Sequence, residues 1–326
     1  MNALRYTCLL GLLVLGACRK SPSGNPLNPG GLPVIYVAGD NGTNPVLWED
    51  GQAKVLSSSM GFADQVLVSG NDIYVAGVYN ESNNGTLDGP FGQYGYWENG
   101  VPHAFGIPAM TLFTSSIALS GNNVFYASSS LWQNNNVLSL PGEGNGSIRA
   151  IQTVGTDVYV AGSDSVGDAA YWKDGVLHVV SQGYYPRFTS GGDPSVGCMY
   201  VSGTDVYIGG FDMNQVPVYW KNGVPDTLSL GIGSVTTVRG IFVAGTDVYV
   251  AGSLLAGQSD IPIYWKNGVE TDLPLNGAAY GIANAIFVDG PDVYVAGSTA
   301  SGAVYWKDGV EFVLSPKGDA NSIYLH

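Results

Sequence analysis

The sequence predicts an all-β protein in which seven four-stranded antiparallel sheets close into a ring. Three observations carry this. All the tryptophans of the 326 residues (Trp48, Trp97, Trp132, Trp172, Trp220, Trp265 and Trp306) fall one to a copy of a repeat. Each is followed by a tight turn, as in Lys266-Asn267-Gly268, with Gln133-Asn134-Asn135 the loosest version. Upstream lie six turns built on Gly70, Gly121, Gly155, Gly203, Gly245 and Gly290, one fewer than the tryptophans.

The repeated unit is clearest at Gly245–Gly268. Val248 to Ala251 is β-branched and aromatic and closes on Gly252; Ile263 to Trp265 is a second such run ending in Asn267-Gly268. Asn-Gly and Asp-Gly accept the positive φ angles of a type I′ hairpin turn, whose twist matches the flanking strands. The two runs read as the middle strands of a small sheet. Trp97 and Trp132 are 35 positions apart and Trp48 and Trp97 are 49 apart, the period of propeller blades.

The missing turn indicates how the ring closes. The first copy begins at Val34–Gly39 with no strand before it, while Ala320–His326 matches Ala283–Asp289 and has nothing after it. The orphan last strand is therefore the partner the first copy lacks. Closure also removes the unpaired edges that an open stack would expose. The pattern over residues 33–326 resembles the bacterial β-propellers, kelch-like in the Gly-rich second strand and in the Trp. Such a resemblance implies a seven-bladed architecture and leaves activity open, since propellers host many unrelated functions. No helical periodicity follows residue 17, so almost no helix is expected.

Residues 1–17 carry one basic residue, Arg5, and an apolar run from Cys8 to Leu15, too short to span a bilayer and laid out as an export signal. The tetrad Leu15-Gly16-Ala17-Cys18 resembles the bacterial lipobox. That resemblance implies cleavage after Ala17, lipidation of Cys18 and, with Arg19 next, retention in the outer membrane; an ordinary signal peptide with a chance Cys is the alternative. Residues 18–32, rich in Pro, Gly, Ser and Asn, read as a tether. Two or more acyl chains, each buried CH₂ contributing about 0.8 kcal/mol, would hold the ring at a membrane without further contact.

Twelve basic against 26 acidic residues give a formal charge of −14. Such a surface repels nucleic acid and offers no polybasic footprint. Beyond Cys8 and Cys18 the only cysteine is Cys198, which reads as a small buried side chain near the ring axis. A monomer is expected. The repeated Asp of the Gly-x-Asp turns supplies one carboxylate each, short of the six or more oxygens of a calcium site. Capping of its own turn is expected instead, and neither metal nor cofactor is.

With strands labelled a to d outward from the axis, both short turns (a–b and c–d) fall on one face. The b–c and d–a loops, which vary most in length, fall on the other, and that irregular face is expected to bind. Aligning the first strands places Asp64, Ser115, Arg149, Gly197, Arg239, Asn284 and Asn321 at one position, followed by mostly small residues: Gln65, Ser116, Ala150, Cys198, Gly240, Ala285 and Ser322. The polar set should ring the channel mouth. Arg149 and Arg239 are suited to grip a carboxylate or a polar sugar; the competing reading pairs them with Asp64 or Glu143. Tyr184, Tyr185 and Phe188 in one long loop, with Tyr79, Phe91 and Tyr94 in another, either form an aromatic platform or pin the loops by mutual burial, and Arg187 beside the first three is a further ligand candidate. The tryptophans read as packing between blades.

His103, His178 and His326 share no repeat position, and no nucleophile elbow or paired-histidine metal motif occurs. The expected function is a non-catalytic, envelope-anchored lipoprotein whose loop face binds a carbohydrate or peptide. The second reading is a scaffold in an outer-membrane assembly, and the third a polysaccharide lyase or hydrolase.

Overall fold

The computed structural model describes residues 32–81, 92–108, 115–128, 130–143, 148–182, 195–229 and 233–326. Among them are 28 strands and no helix. The strands form seven four-stranded antiparallel sheets, the blades, numbered here from the one that joins the chain ends. Blade 6 shows the plan: Ser234–Ala244 innermost, then Asp247–Ala256, Ser259–Lys266 and Val269–Asp272 at the rim.

Blade 1 takes its inner strand, Ala320–Leu325, from the end of the chain and pairs it with Ile35–Asp40. Ile35 stands opposite Leu325, Tyr36 opposite Tyr324 and Val37 opposite Ile323. Val34 and His326 extend the ladder by exchanging backbone hydrogen bonds of 3.0 and 3.2 Å. The ring is closed as the orphan strand requires.

The core is divided among the blade interfaces. Each of seven apolar clusters draws on two consecutive blades. One joins Cys198, Tyr207 and Tyr219 of blade 5 to Val238, Val250 and Trp265 of blade 6. All seven tryptophans are among the largest fully buried side chains, as packing between blades demands. Among the described residues, three also donate Nε1–H to the loop that enters their blade: Trp172 to Pro141 O, Trp265 to Ser229 O and Trp306 to Pro274 O, at 2.7–3.0 Å.

Both expected turn types form on one face. The c–d turns carry positive φ at both central residues, for example Asn267 at 49° and Gly268 at 78°. The a–b turns are two-residue hairpins with Gly at positive φ in the first position, as a type II′ turn requires. A latch joins the two. In every blade the side-chain oxygen of the first c–d turn residue accepts a backbone N–H at the start of strand b, at 2.8–3.0 Å. This corrects the expected role of the repeated Asp. Its carboxylate is held across the blade: Asp205 accepts from Asn222 Nδ2 at 2.8 Å and pairs with Lys221 at 2.9 Å, and Asp247 uses Asn267 and Lys266 likewise. These pairs are exposed, so each contributes little to stability; the backbone acceptor is the part that sets the turn.

Deleting residues 320–326 should expose the edge of Ile35–Asp40 and one face of the adjoining cluster. Loss of a single cooperative thermal transition and concentration-dependent association in sedimentation are expected. An unchanged transition in the monomer would show that ring closure is dispensable.

Candidate functional site

A regular inner strand would alternate between its two neighbouring blades. Here the alternation slips by one residue in six blades. The pairing register shifts between Ala63 and Gln65, Ile148 and Ala150, Val196 and Cys198, Val238 and Gly240, Ala283 and Ala285, and, in blade 1, between Ala320 and Ser322. The extra residues are Asp64, Arg149, Gly197, Arg239, Asn284 and Asn321. A β-bulge bends its strand and re-aims the side chain of its extra residue. The polar position read from the aligned first strands is thus the bulge position.

The bulge has a requirement on the facing strand. Ala63, Val196, Val238 and Ala283 face Gly77, Gly210, Gly252 and Gly297. A Cβ on Gly252 would lie 2.1 Å from Thr237 O and 3.1 Å from the Trp265 ring. The glycine of the repeated Val-Ala-Gly therefore makes room for the bulged strand's carbonyl and for the tryptophan. In blade 3 the corresponding residue after Ala127 is Ser128, and its inner strand Ser116–Ser120 pairs with no register shift.

The inner strands enclose an axial cavity of about 920 Å³, lined at its loop-side end by Asp64, Ser115, Arg149, Gly197, Arg239, Asn284 and Asn321. These form a collar whose members reach from blade to blade. Arg239 Nη1 donates to Asn284 Oδ1 at 2.8 Å, Asn284 Nδ2 to Ala320 O at 3.0 Å, Asn321 Nδ2 to Ala63 O at 3.0 Å, and Ser115 N–H to Asp64 Oδ2 at 2.8 Å. The two asparagines thus serve the joints between blades as well as the lining. Glu143 instead accepts the Leu140 N–H at 3.1 Å. Between the two arginines stands Gly197, where a Cβ would lie 1.9 Å from Val238 O. No side chain fits there, so the collar has a gap flanked by its two cations.

Electrostatics differ around the collar. Burial pushes the Asp64 carboxyl up to about 7, opposed by the hydrogen bonds from Ser115 and reinforced by the negative Asp40. Burial also lowers the Arg239 guanidinium, while the fields of Asp319 and Asp260 raise it; a guanidinium remains charged regardless.

Three residues beyond each collar position, roughly 10 Å further along the strand, lies a second ring that the sequence reading missed. In blades 5, 6, 7 and 1 it consists of Tyr200, Phe242, Phe287 and Tyr324, all lining the cavity. Successive ring centroids are 4.8, 4.7 and 5.4 Å apart. Blades 2, 3 and 4 place Leu67, Ala118 and Gln152 there. The signal was present in the sequence, as aromatics recurring three positions after the polar residue.

The remaining candidates separate. Cys198 is buried beside the axis, with its thiol pushed up to about 12 by desolvation. Tyr79 and Tyr94 are buried rather than displayed, Tyr79 against Trp97 at 5.3 Å and Tyr94 near Tyr126 at 6.4 Å, which favours loop pinning for these two. His103 and His178 lie in rim strands, stacked on Tyr96 and Tyr171 at 4.8 and 4.7 Å. Cys18, Tyr184, Tyr185, Arg187, Phe188 and Phe91 lie outside the described residues.

Two outcomes follow from this geometry. Gly252→Ala should lower stability by about 1–3 kcal/mol, the usual cost of overpacking, whereas Ser128→Gly, with no bulge to accommodate, should change it far less; equal losses in denaturant titrations would contradict the assigned role. Unfolded Asp64 titrates near the ordinary value of about 3.9. Between about pH 4 and 7 the folded chain therefore keeps a proton that the unfolded chain has lost, and stability falls as pH rises through that window. Asp64→Asn keeps the acceptor and removes the charge, so its advantage in Tm should grow by a few degrees from pH 5 to pH 8; a constant difference would argue against a raised carboxyl.

No family model matches the chain, and no curated protein matches it. Among solved structures it is similar to a chain of the crystal structure of a mitotic checkpoint complex, at 11% identity and a TM-score of 0.48, over 81% of this chain and 83% of that one. It is also similar to a chain of a nidogen/laminin complex, at 9% identity and a TM-score of 0.41, over 90% of this chain and 98% of that one. Neither likeness bears on what this chain binds.

Proposed function

We propose that this chain is a lipid-anchored protein of a bacterial envelope, held at the outer membrane by Cys18, whose ring binds a carbohydrate or peptide at its loop-bearing end without transforming it. One observation carries the binding reading: the bulges aim two of the chain's 12 basic residues, Arg149 and Arg239, into the lining of a single large cavity. A bulge disrupts a ladder locally and is a feature by which proteins re-aim a side chain. Convergent polar groups at the mouth of a cavity are the usual mark of a ligand site. The anchor rests on the tetrad ending in Cys18 and on the tether that follows.

A scaffold role in an envelope assembly is the second reading. It draws support from the rim, where Val176, Val224, Val269 and Val310 are each about 60–70% exposed at the start of strand d, a repeated apolar contact that a partner protein would cover.

In a bacterial host, Cys18→Ser should abolish fatty-acid labelling and move the protein from the membrane to the soluble fraction; persistent membrane association would refute the lipid anchor. Binding to glycan or peptide arrays should be lost on joint substitution of Arg149→Ala and Arg239→Ala. Stoichiometric recovery of one envelope protein, with no array binding, would favour the scaffold.

A further inference from the structure

The collar and the second ring divide the channel into two chemical zones about 10 Å apart. The upper zone holds two guanidinium groups on either side of a position that admits no side chain. Arg239 donates to Asn284, and a guanidinium carries five N–H donors in a planar fork suited to a carboxylate. The lower zone is an arc of four aromatic rings on consecutive blades, open on the opposite side where Leu67 and the small Ala118 stand.

Apart from the hydroxyls of Tyr200 and Tyr324, the wall offers little hydrogen-bonding capacity at that depth. Gln152, the one amide of the second ring, is engaged with blade 5: its Oε1 accepts Val201 N–H at 2.7 Å and its Nε2 donates to Val201 O at 3.2 Å. Inner-strand amides are met in the same way, Ile117 N–H by Gln65 Oε1, Ile151 N–H by Ser116 Oγ and Val66 N–H by Ser322 Oγ. A sugar seated against the arc would meet only the Tyr200 and Tyr324 hydroxyls and leave most of its own hydroxyls unpaired, which is unfavourable by the full desolvation of each such group. A flat apolar ring would not, and it would gain contact with the aromatic arc.

Resting on the binding reading above, we infer that the channel takes a small aromatic carboxylate, its ring against Tyr200, Phe242, Phe287 and Tyr324 and its carboxylate at the gap between Arg149 and Arg239. This narrows the ligand from the carbohydrate or peptide of the loop face to an organic acid within the axis.

Titration calorimetry of the purified full chain with benzoate, 2-naphthoate and indole-3-acetate tests it, with 2-naphthol and glucuronate as the neutral and sugar-acid controls. At least one aromatic acid should bind. 2-Naphthol should bind about tenfold or more weakly than 2-naphthoate, the worth of a hydrogen bond to a charged group, and glucuronate more weakly still. Arg239→Gln and Phe242→Leu should each weaken the acid, and thermal midpoints close to that of the native chain would show both variants folded. If no aromatic acid binds while an arrayed glycan or peptide does, the inference fails and the binding reading stands. If nothing of any class binds, both fall. Aromatic-acid binding unchanged in both variants would place it elsewhere on the surface and overturn the assignment.

Discussion

A blade buried on both faces is the constraint from which the rest of this molecule follows. Each sheet is a narrow four-stranded strip, and every apolar cluster is shared between two neighbours, so no blade has a core of its own. The arrangement is satisfied only when the last sheet meets the first. Here the joint is made within a sheet: Ile323 and Leu325 pair with the first strand of the chain while packing in one cluster with Val37, Trp48 and Tyr294. The ladder and the seventh interface therefore form together. Loop-closure entropy grows only logarithmically with chain length, so joining the two ends is penalised little more than joining nearer residues. The kinetic consequence is larger, since such non-local pairing slows folding.

The same constraint explains why the polar collar sits at the axis. Faces are committed to packing, rim strands are exposed edges, and the two-residue turns are latched side chain to backbone in every blade. The inner edge remains. In six blades one extra residue at the loop-side end turns a further side chain toward the channel, while the strand beyond it returns to register. The glycine on the facing strand is the counterpart of that slip, and Ser128 marks the blade whose described pairing has none. In this way one repeat carries both a fixed packing pattern and variable, channel-facing positions at the collar and at the second ring.

Much of this was legible in the residues. Seven Trp, the positive-φ turns and the orphan Ala320–His326 define the blades and their closure, because each is a local signal repeated often enough to be aligned. The polar ring was legible as a column in that alignment. Its cause was not, although a trace of it was there: Ala63, Val66 and Val68, or Val238, Ile241 and Val243, are spaced three and then two apart, and the odd interval is the bulge. The aromatic arc was overlooked because the alignment stopped one position after the collar. The latch was misassigned because Asp247 and Asn267 are 20 residues apart, and no local rule pairs the two turns of one face. Contacts between blades, such as Gln152 with Val201 or Arg239 with Asn284, join residues 45 or more positions apart and require the ring itself.

The departures from seven-fold repetition are then the informative part. Blade 3 has the shortest outer strands, Leu131–Gln133 and Asn136–Leu138, a turn of Asn134 and Asn135 without glycine, and an inner strand with no register shift. Among the described residues, the buried indole nitrogens of Trp48, Trp97 and Trp132, in blades 1 to 3, have no hydrogen-bond partner, while those of blades 4, 6 and 7 are met by the preceding loop. Leaving a buried donor unpaired is unfavourable by about 1–3 kcal/mol, a cost these three indoles bear and those of blades 4, 6 and 7 do not. The aromatic arc spans blades 5, 6, 7 and 1 and leaves its open side against blades 2 to 4, with Ala118 of blade 3 at its centre. The free volume of the channel thus adjoins the least regular sector of the ring.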